Sequence, residues 1–264
     1  MVTRVPQPVF ADVDTGVDDA MALVYLFGSS DAELVGIAST AGNVPVQQVC
    51  ENNLGLLELC RVDGIPVSKG SEQPVSSPLR TAEDTHGPQG LGYATLPSTD
   101  RRLAEYDSAQ AWVNAAHAYP GELIAVATGP LTNLALALRQ EPALPTLLRR
   151  LVIMGGAFEY RGNTTPVAEW NISVDPEAAH EVFAVWSAAW GLDPPQHLPI
   201  VLGLNLTENI AMTPALFGRL AAEADSPTAP MSVLDDRGTR SAAANPLIRV
   251  LEDAMRFYFE FHFD

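Results

Sequence analysis

Four carboxylates, Asp12, Asp14, Asp18 and Asp19, fall within eight residues of the segment Phe10 to Leu23. Two like charges about 4 Å apart repel by about 4 kcal/mol at an effective dielectric of 20, so converging aspartates need a cation, a shared proton or open solvent. A helix starting after Gly16 relieves part of this, by roughly 0.3–1 kcal/mol per exposed carboxylate. A divalent cation relieves far more. With no His or Cys in the segment the donors are hard oxygens, which favour calcium or magnesium over zinc. Position preferences account for part of the same pattern, because Asp18 and Asp19 suit a first helical turn and Asp12 a strand end.

The elements that must position these residues follow from the hydrophobic pattern. Short β-branched runs alternate with longer stretches of helical period, as in a parallel sheet with crossover helices. Strands are predicted over Pro8 to Val13, Leu34 to Thr40, Leu123 to Ala127, Leu151 to Met154 and Pro199 to Leu202. Helices are predicted over Asp18 to Gly28, Val46 to Cys60, Ser108 to Tyr119, Leu131 to Arg139, Pro176 to Trp190, Pro214 to Ala224 and Pro246 to Phe263. The fold class is therefore α/β, an open, Rossmann-like, mostly parallel sheet flanked by helices, read as one domain over residues 1–264. Gly191 to Pro199 and Glu223 to Ala244 read as loops.

Ligands of such sheets bind outside the carboxyl ends of the strands. Asp14, Asn43, Thr128 and the Gly155-Gly156 pair each follow a predicted strand. Turn and cap chemistry explains any one of them. Four at once point to a site.

The formal charge of −17 argues against binding nucleic acid polymers or anionic membranes. No run approaches the roughly 20 apolar residues of a membrane span, and Met1 to Pro8 lacks the pattern of a signal peptide, so a cytoplasmic protein is expected. Cys50 and Cys60 lie ten residues apart on one predicted helix, about 15 Å along its axis, too far for a disulfide; both are expected to be buried thiols.

Further motifs follow in order: Ala41-Gly42-Asn43-Val44-Pro45, His86-Gly87, Thr128-Gly129-Pro130-Leu131-Thr132-Asn133, Met154-Gly155-Gly156, Gly162 through Asn171, and Asp175-Pro176-Glu177-Ala178-Ala179. With the opening Asp12-Val13-Asp14-Thr15-Gly16-Val17-Asp18-Asp19-Ala20, the chain resembles the inosine-uridine-preferring nucleoside hydrolase family over essentially its whole length. Thr15 stands where the family usually has proline.

The resemblance implies calcium held by Asp14, Asp19 and the Thr128 carbonyl, with Asp14 also the general base on a calcium-bound water. Asp18 and Asn171 would hold ribose hydroxyls next to the metal, Asn163 and Glu169 those nearer the 5′ end, and Asn43 would line the same pocket. Trp170 is a pocket-wall candidate and His86 a catalytic candidate, although a histidine before Gly87 is by default a surface or loop residue. The two-residue spacing of Glu169 and Asn171, read as strand, places both side chains on one face. The implied reaction is hydrolysis of ribonucleosides to base and ribose by a homodimer or homotetramer.

The family's later His-Asp-Pro motif, which supplies a base-protonating histidine and a final calcium ligand, has no counterpart here. The chain is accordingly expected to lack the family's C-terminal part. A non-catalytic ribonucleoside-binding protein is one alternative. Another is a haloacid-dehalogenase-like phosphatase, which Asp12-Val13-Asp14-Thr15 also resembles, with Asp12 as nucleophile, Asp14 as acid and magnesium as cofactor.

Overall fold

A computed structural model describes residues 5–191, 197–232 and 234–262. Six parallel strands form one sheet in the order β3-β2-β1-β4-β5-β6, with β1 at Gln7–Val13, β2 at Ala32–Ser39, β3 at Val67–Lys69, β4 at Ile124–Ala127, β5 at Arg150–Met154 and β6 at Ile200–Leu202. The chain leaves β1 towards β2 on one side, whereas β4 continues to β5 on the other. A crevice opens where those directions part, at the carboxyl ends of β1 and β4.

Alternation along β1 decides what each face receives. Val9, Ala11 and Val13 enter the cluster packed by α1 (Val17–Gly28), α2 (Val46–Cys60), α10 (Pro214–Glu223) and α11 (Pro246–His262). Phe10 enters the opposite cluster, with Trp112 of α4 (Ser108–Ala118), Leu134 of α5 (Thr132–Gln140) and Val182 of α8 (Pro176–Trp190). Asp12, two residues after Phe10, shares Phe10's face.

Three of the longer helices, α4, α8 and α10, start on side-chain caps. The Asp107 and Asp175 carboxylates accept from Gln110 N at 2.8 Å and Ala178 N at 3.1 Å, and Thr213 Oγ1 from Leu216 N at 3.1 Å. Beyond the expected elements lie β3 and the short helices α3 (Glu83–His86), α6 (Leu144–Leu147), α7 (Trp170–Val174) and α9 (Leu204–Thr207). Each has three to five residues, too few for a hydrophobic period to register.

The segment after α10 has no further regular element among its described residues, as expected, yet it is strapped to α11. Asp235 Oδ2 meets Arg256 Nη1 at 2.7 Å, Ser241 N donates to Asp253 Oδ1 at 2.6 Å, and Arg240 Nη2 meets Asp253 Oδ2 at 3.0 Å. Of the loop expected over Gly191 to Pro199, residues 192–196 lie outside the described residues, as does Phe263 at the end of the last expected helix. Both cysteines are free. Cys50 is buried, but Cys60, at the end of α2, is only half-buried, contrary to expectation. No described helix is long and apolar enough to cross a membrane.

Candidate active site

β1 delivers Asp14 to the crevice just past its last residue, and α1 delivers Asp19 from its first turn. Both side chains are buried, and the charge of Asp19 acts on Asp14. Asn43 N donates to Asp14 Oδ2 at 2.9 Å, Gly16 N to Asp19 Oδ2 at 2.9 Å, and Thr128 Oγ1 to Asp19 Oδ1 at 2.5 Å. Asp14 Oδ1 is buried with no partner. Backbone closes around this carboxylate, for a Cβ at Gly42 would overlap Asp14 Oδ2.

Burial, then the charge of Asp19, raises the Asp14 pKa well above the ordinary carboxylate range. Burial, then the charge of Asp18, raises Asp19 from 3.8 to about 7. Two carboxylates forced together in a dry crevice make a site for positive charge. Among the described residues no third His, Cys, Asp or Glu completes a metal-ligating group with the pair. Further protein donors there are backbone and amide oxygens.

Thr128 closes the arrangement from β4. Its N–H donates to the Asp12 carbonyl at 2.9 Å and its own carbonyl accepts from Asn171 Nδ2 at 2.7 Å. Asp12 lies on Phe10's face of β1, towards α4 and α5. Its Oδ2 accepts from Trp112 Nε1 at 2.6 Å, its Oδ1 from Asn133 Nδ2 at 3.1 Å and from the Thr40 hydroxyl. Burial outweighs these bonds and raises its pKa from 3.8 to about 6. A carboxylate engaged on both oxygens and buried behind the strand is placed to support, not to attack, so the phosphatase assignment of Asp12 as nucleophile does not suit this arrangement.

Thr15, where the family usually has proline, is buried, with its hydroxyl donating to Asn53 Oδ1 at 2.5 Å. Asp18 points outward, its side chain 66% exposed, with Oδ1 3.9 Å from His86 Nδ1. His86 is buried on α3, so the surface or loop default is corrected. Val17 N donates to its Nδ1 at 3.2 Å, which leaves the proton of the neutral ring on Nε2. Burial depresses its pKa, against the pull of Asp18. A Cβ on Gly16 would lie 2.5 Å from that ring nitrogen and 2.7 Å from Asn43 Nδ2, so only glycine allows both to approach.

The segment Gly162 to Asn171 approaches from beyond β5. Glu169 and Asn171 do not share a strand face, because Glu169 caps α7 and Asn171 lies in its first turn. Glu169 Oε1 accepts from Asn171 N at 2.8 Å, and Oε2 from Gly156 N at 2.9 Å and Ile172 N at 3.0 Å. Capping wins over the β-branched Ile172 and Val174 because one carboxylate satisfies three backbone donors at once. Asn163 is exposed and holds Trp170 N through Oδ1 at 2.9 Å. Trp170 is half-buried, with the Arg80 guanidinium 5.5 Å from its ring centre and its Nε1 buried without a partner.

Two further residues join from α11 without having been foreseen. Tyr258 lies 5.4 Å from the His86 ring and 4.5 Å from the His262 ring, centre to centre. Burial, with the charges of Asp18 and Asp19, pushes its phenol pKa upward. Its i,i+4 spacing to His262 was the available signal, since it places two polar-tipped rings on one helix face.

Comparison with known proteins identifies the family and the fold. The family model described as inosine-uridine preferring nucleoside hydrolase matches residues 9–264. Uridine nucleosidase 1 of Arabidopsis thaliana is 36% identical over 208 residues, 78% of this chain and 59% of that protein. The inosine-uridine preferring nucleoside hydrolase of Leishmania major is 32% identical, across 87% of this chain and 71% of that one. A solved plant nucleoside hydrolase superposes with a TM-score of 0.80 at 31% identity, covering 98% of this chain and 72% of its own.

Proposed function

The chain belongs to the inosine-uridine preferring nucleoside hydrolase family, and from that premise we propose that it hydrolyses the N-glycosidic bond of ribonucleosides to free base and ribose. Uridine and inosine, named in the relatives, are the substrates to try first. The observation that carries the reading is the unpartnered Asp14 Oδ1, buried beside Asp19 and Thr128 at the mouth of the sheet. Such an oxygen is placed to take a proton from water.

The residues present fit a calcium ion. Asp14 and Asp19 supply buried hard oxygens whose pKa values are raised first by burial and then by neighbouring carboxylate charge, the Thr128 hydroxyl is bonded to Asp19, and the Thr128 carbonyl would be a further ligand. Calcium bound there supplies positive charge that makes a neighbouring water easier to deprotonate. Asp14 accepts the proton as the water oxygen bonds to C1′ and the bond from C1′ to the base nitrogen breaks. Asp18, Asn43 and Asn171 surround the same crevice and hold the ribose hydroxyls, and such positioning reduces the barrier by as much as about 7–11 kcal/mol. The departing base must gain a proton or a hydrogen bond. His86 Nε2–H, Tyr258 and His262 form the cluster of donors for that side.

Release of reducing sugar from uridine and inosine, with calcium and with EDTA, tests the proposal, with 2′-deoxyuridine as the poor substrate. Calorimetric binding of ribose without sugar release would make the chain a ribonucleoside-binding protein. Release of inorganic phosphate from phosphorylated substrates instead would restore the phosphatase.

A further inference from the structure

We propose that Trp112 is a positioning residue for the Asp14 site, acting from the opposite face of the sheet through the Asp12 carboxylate. This rests on the hydrolase reading. Trp112 is fully buried on α4 and packs against Phe10 with ring centres 5.0 Å apart. A core position asking only for volume takes Leu or Phe, because a buried indole N–H must find an acceptor. Here that acceptor is Asp12 Oδ2, at 2.6 Å.

Asp12 is the point to which the site's segments are referenced. Its Oδ1 holds the Thr40 hydroxyl at the exit of β2, three residues before Asn43, and Asn133 Nδ2 at the start of α5. Asn133 Nδ2 also reaches Thr40 Oγ1 at 2.5 Å and Ser39 O at 3.1 Å. The Asp12 backbone pairs with Ala38 and Ala127 on either side, and its carbonyl receives Thr128 N–H. Asp14 follows two residues later. A shift of the Asp12 side chain therefore shifts Asp14, the backbone that binds it at Asn43, and Thr128 together. Trp112 sets where that side chain rests, since it alone among the side-chain donors holds Oδ2.

Trp112→Phe keeps the ring and deletes the N–H. The expected result is a fall in kcat of about 10–100-fold with KM for uridine little changed, and a fall of similar size in calcium affinity measured by calorimetry. Asp12→Ala combined with Trp112→Phe loses no more than Asp12→Ala alone, because Asp12→Ala already removes the acceptor that Trp112 holds. Wild-type kcat and calcium affinity in Trp112→Phe, or a double variant whose loss is the product of the single losses, overturns the proposal. If Trp112→Phe does not fold, the 15N-indole spectrum of the wild-type chain decides. Calcium is expected to shift the Trp112 resonance, identified by its contact with Phe10, and an unmoved resonance overturns the inference. Should the wild-type chain bind calcium but release no ribose, the hydrolase reading fails while calcium affinity still judges Trp112. No calcium binding by the wild type overturns both.

Discussion

The Thr128 hydroxyl donates a 2.5 Å hydrogen bond to Asp19 Oδ1, tying the end of β4 to the first turn of α1 across the carboxyl edge of the sheet. Beside it, Asp14 Oδ1 is a buried carboxylate oxygen with no hydrogen-bond partner among the described residues. Asp14→Asn removes the proton acceptor but keeps the shape. Ribose release is expected to fall about 10²–10⁴-fold, with the melting temperature of the variant as control. Retention of activity within a few-fold would assign the base elsewhere.

Gly42 and Gly28 offer a matched pair. A Cβ at Gly42 overlaps Asp14 Oδ2, whereas one at Gly28 meets nothing within 4 Å. Gly42→Ala should abolish calcium binding by calorimetry, and Gly28→Ala should leave binding unchanged with neutral to slightly higher stability. Equal calcium affinity in the two variants would contradict the close approach at Asp14.

The titration of the buried carboxylates sets how the proposed calcium would stabilise the fold. Asp19 rises to about 7 and Asp14 rises too, so the folded chain without cation holds these protons more tightly than the unfolded chain. Their contribution to stability is then full below pH 4 and lost as pH rises towards and through 7. The proposed calcium would bind the deprotonated pair and offset that loss. His86, with its depressed pKa, acts in the opposite sense below about pH 6.5, so the calcium-induced change isolates the carboxylates. The calcium-induced rise in melting temperature should be larger at pH 8 than at pH 5; an equal or smaller rise contradicts it.

Glu169 makes its own test of cap against ligand. Glu169→Gln turns an amide NH2 towards backbone N–H groups that now share a carboxylate. A loss of about 1–3 kcal/mol is expected, at roughly 2–4 °C of melting temperature per kcal/mol. Unchanged melting with weakened ribose binding would instead make Glu169 a ribose ligand first and a cap second.

Alternation, loop-borne Asp and Asn residues and an ordered set of motifs made the parallel sheet, the crevice and the crowding of Asp14 with Asp19 legible from the sequence, because each depends on spacing along the chain. The division of labour among the aspartates was only partly legible: Asp12 was read as suited to a strand end or as a phosphatase nucleophile, and neither what it supports nor what holds it was visible. Its partners Trp112 and Asn133 lie 100 and 121 residues away, and only the packing of α4 and α5 onto one face of β1 brings them together. Glu169 and Asn171 were misread as strand because an i,i+2 spacing carries no hydrogen-bond information, and three backbone donors decided for a helix cap. Tyr258 and His262 needed α11 to be seen lying against α3. Local pattern chose the residue types; the tertiary structure decided which oxygen of which aspartate remains free, because that depends on donors arriving from distant segments.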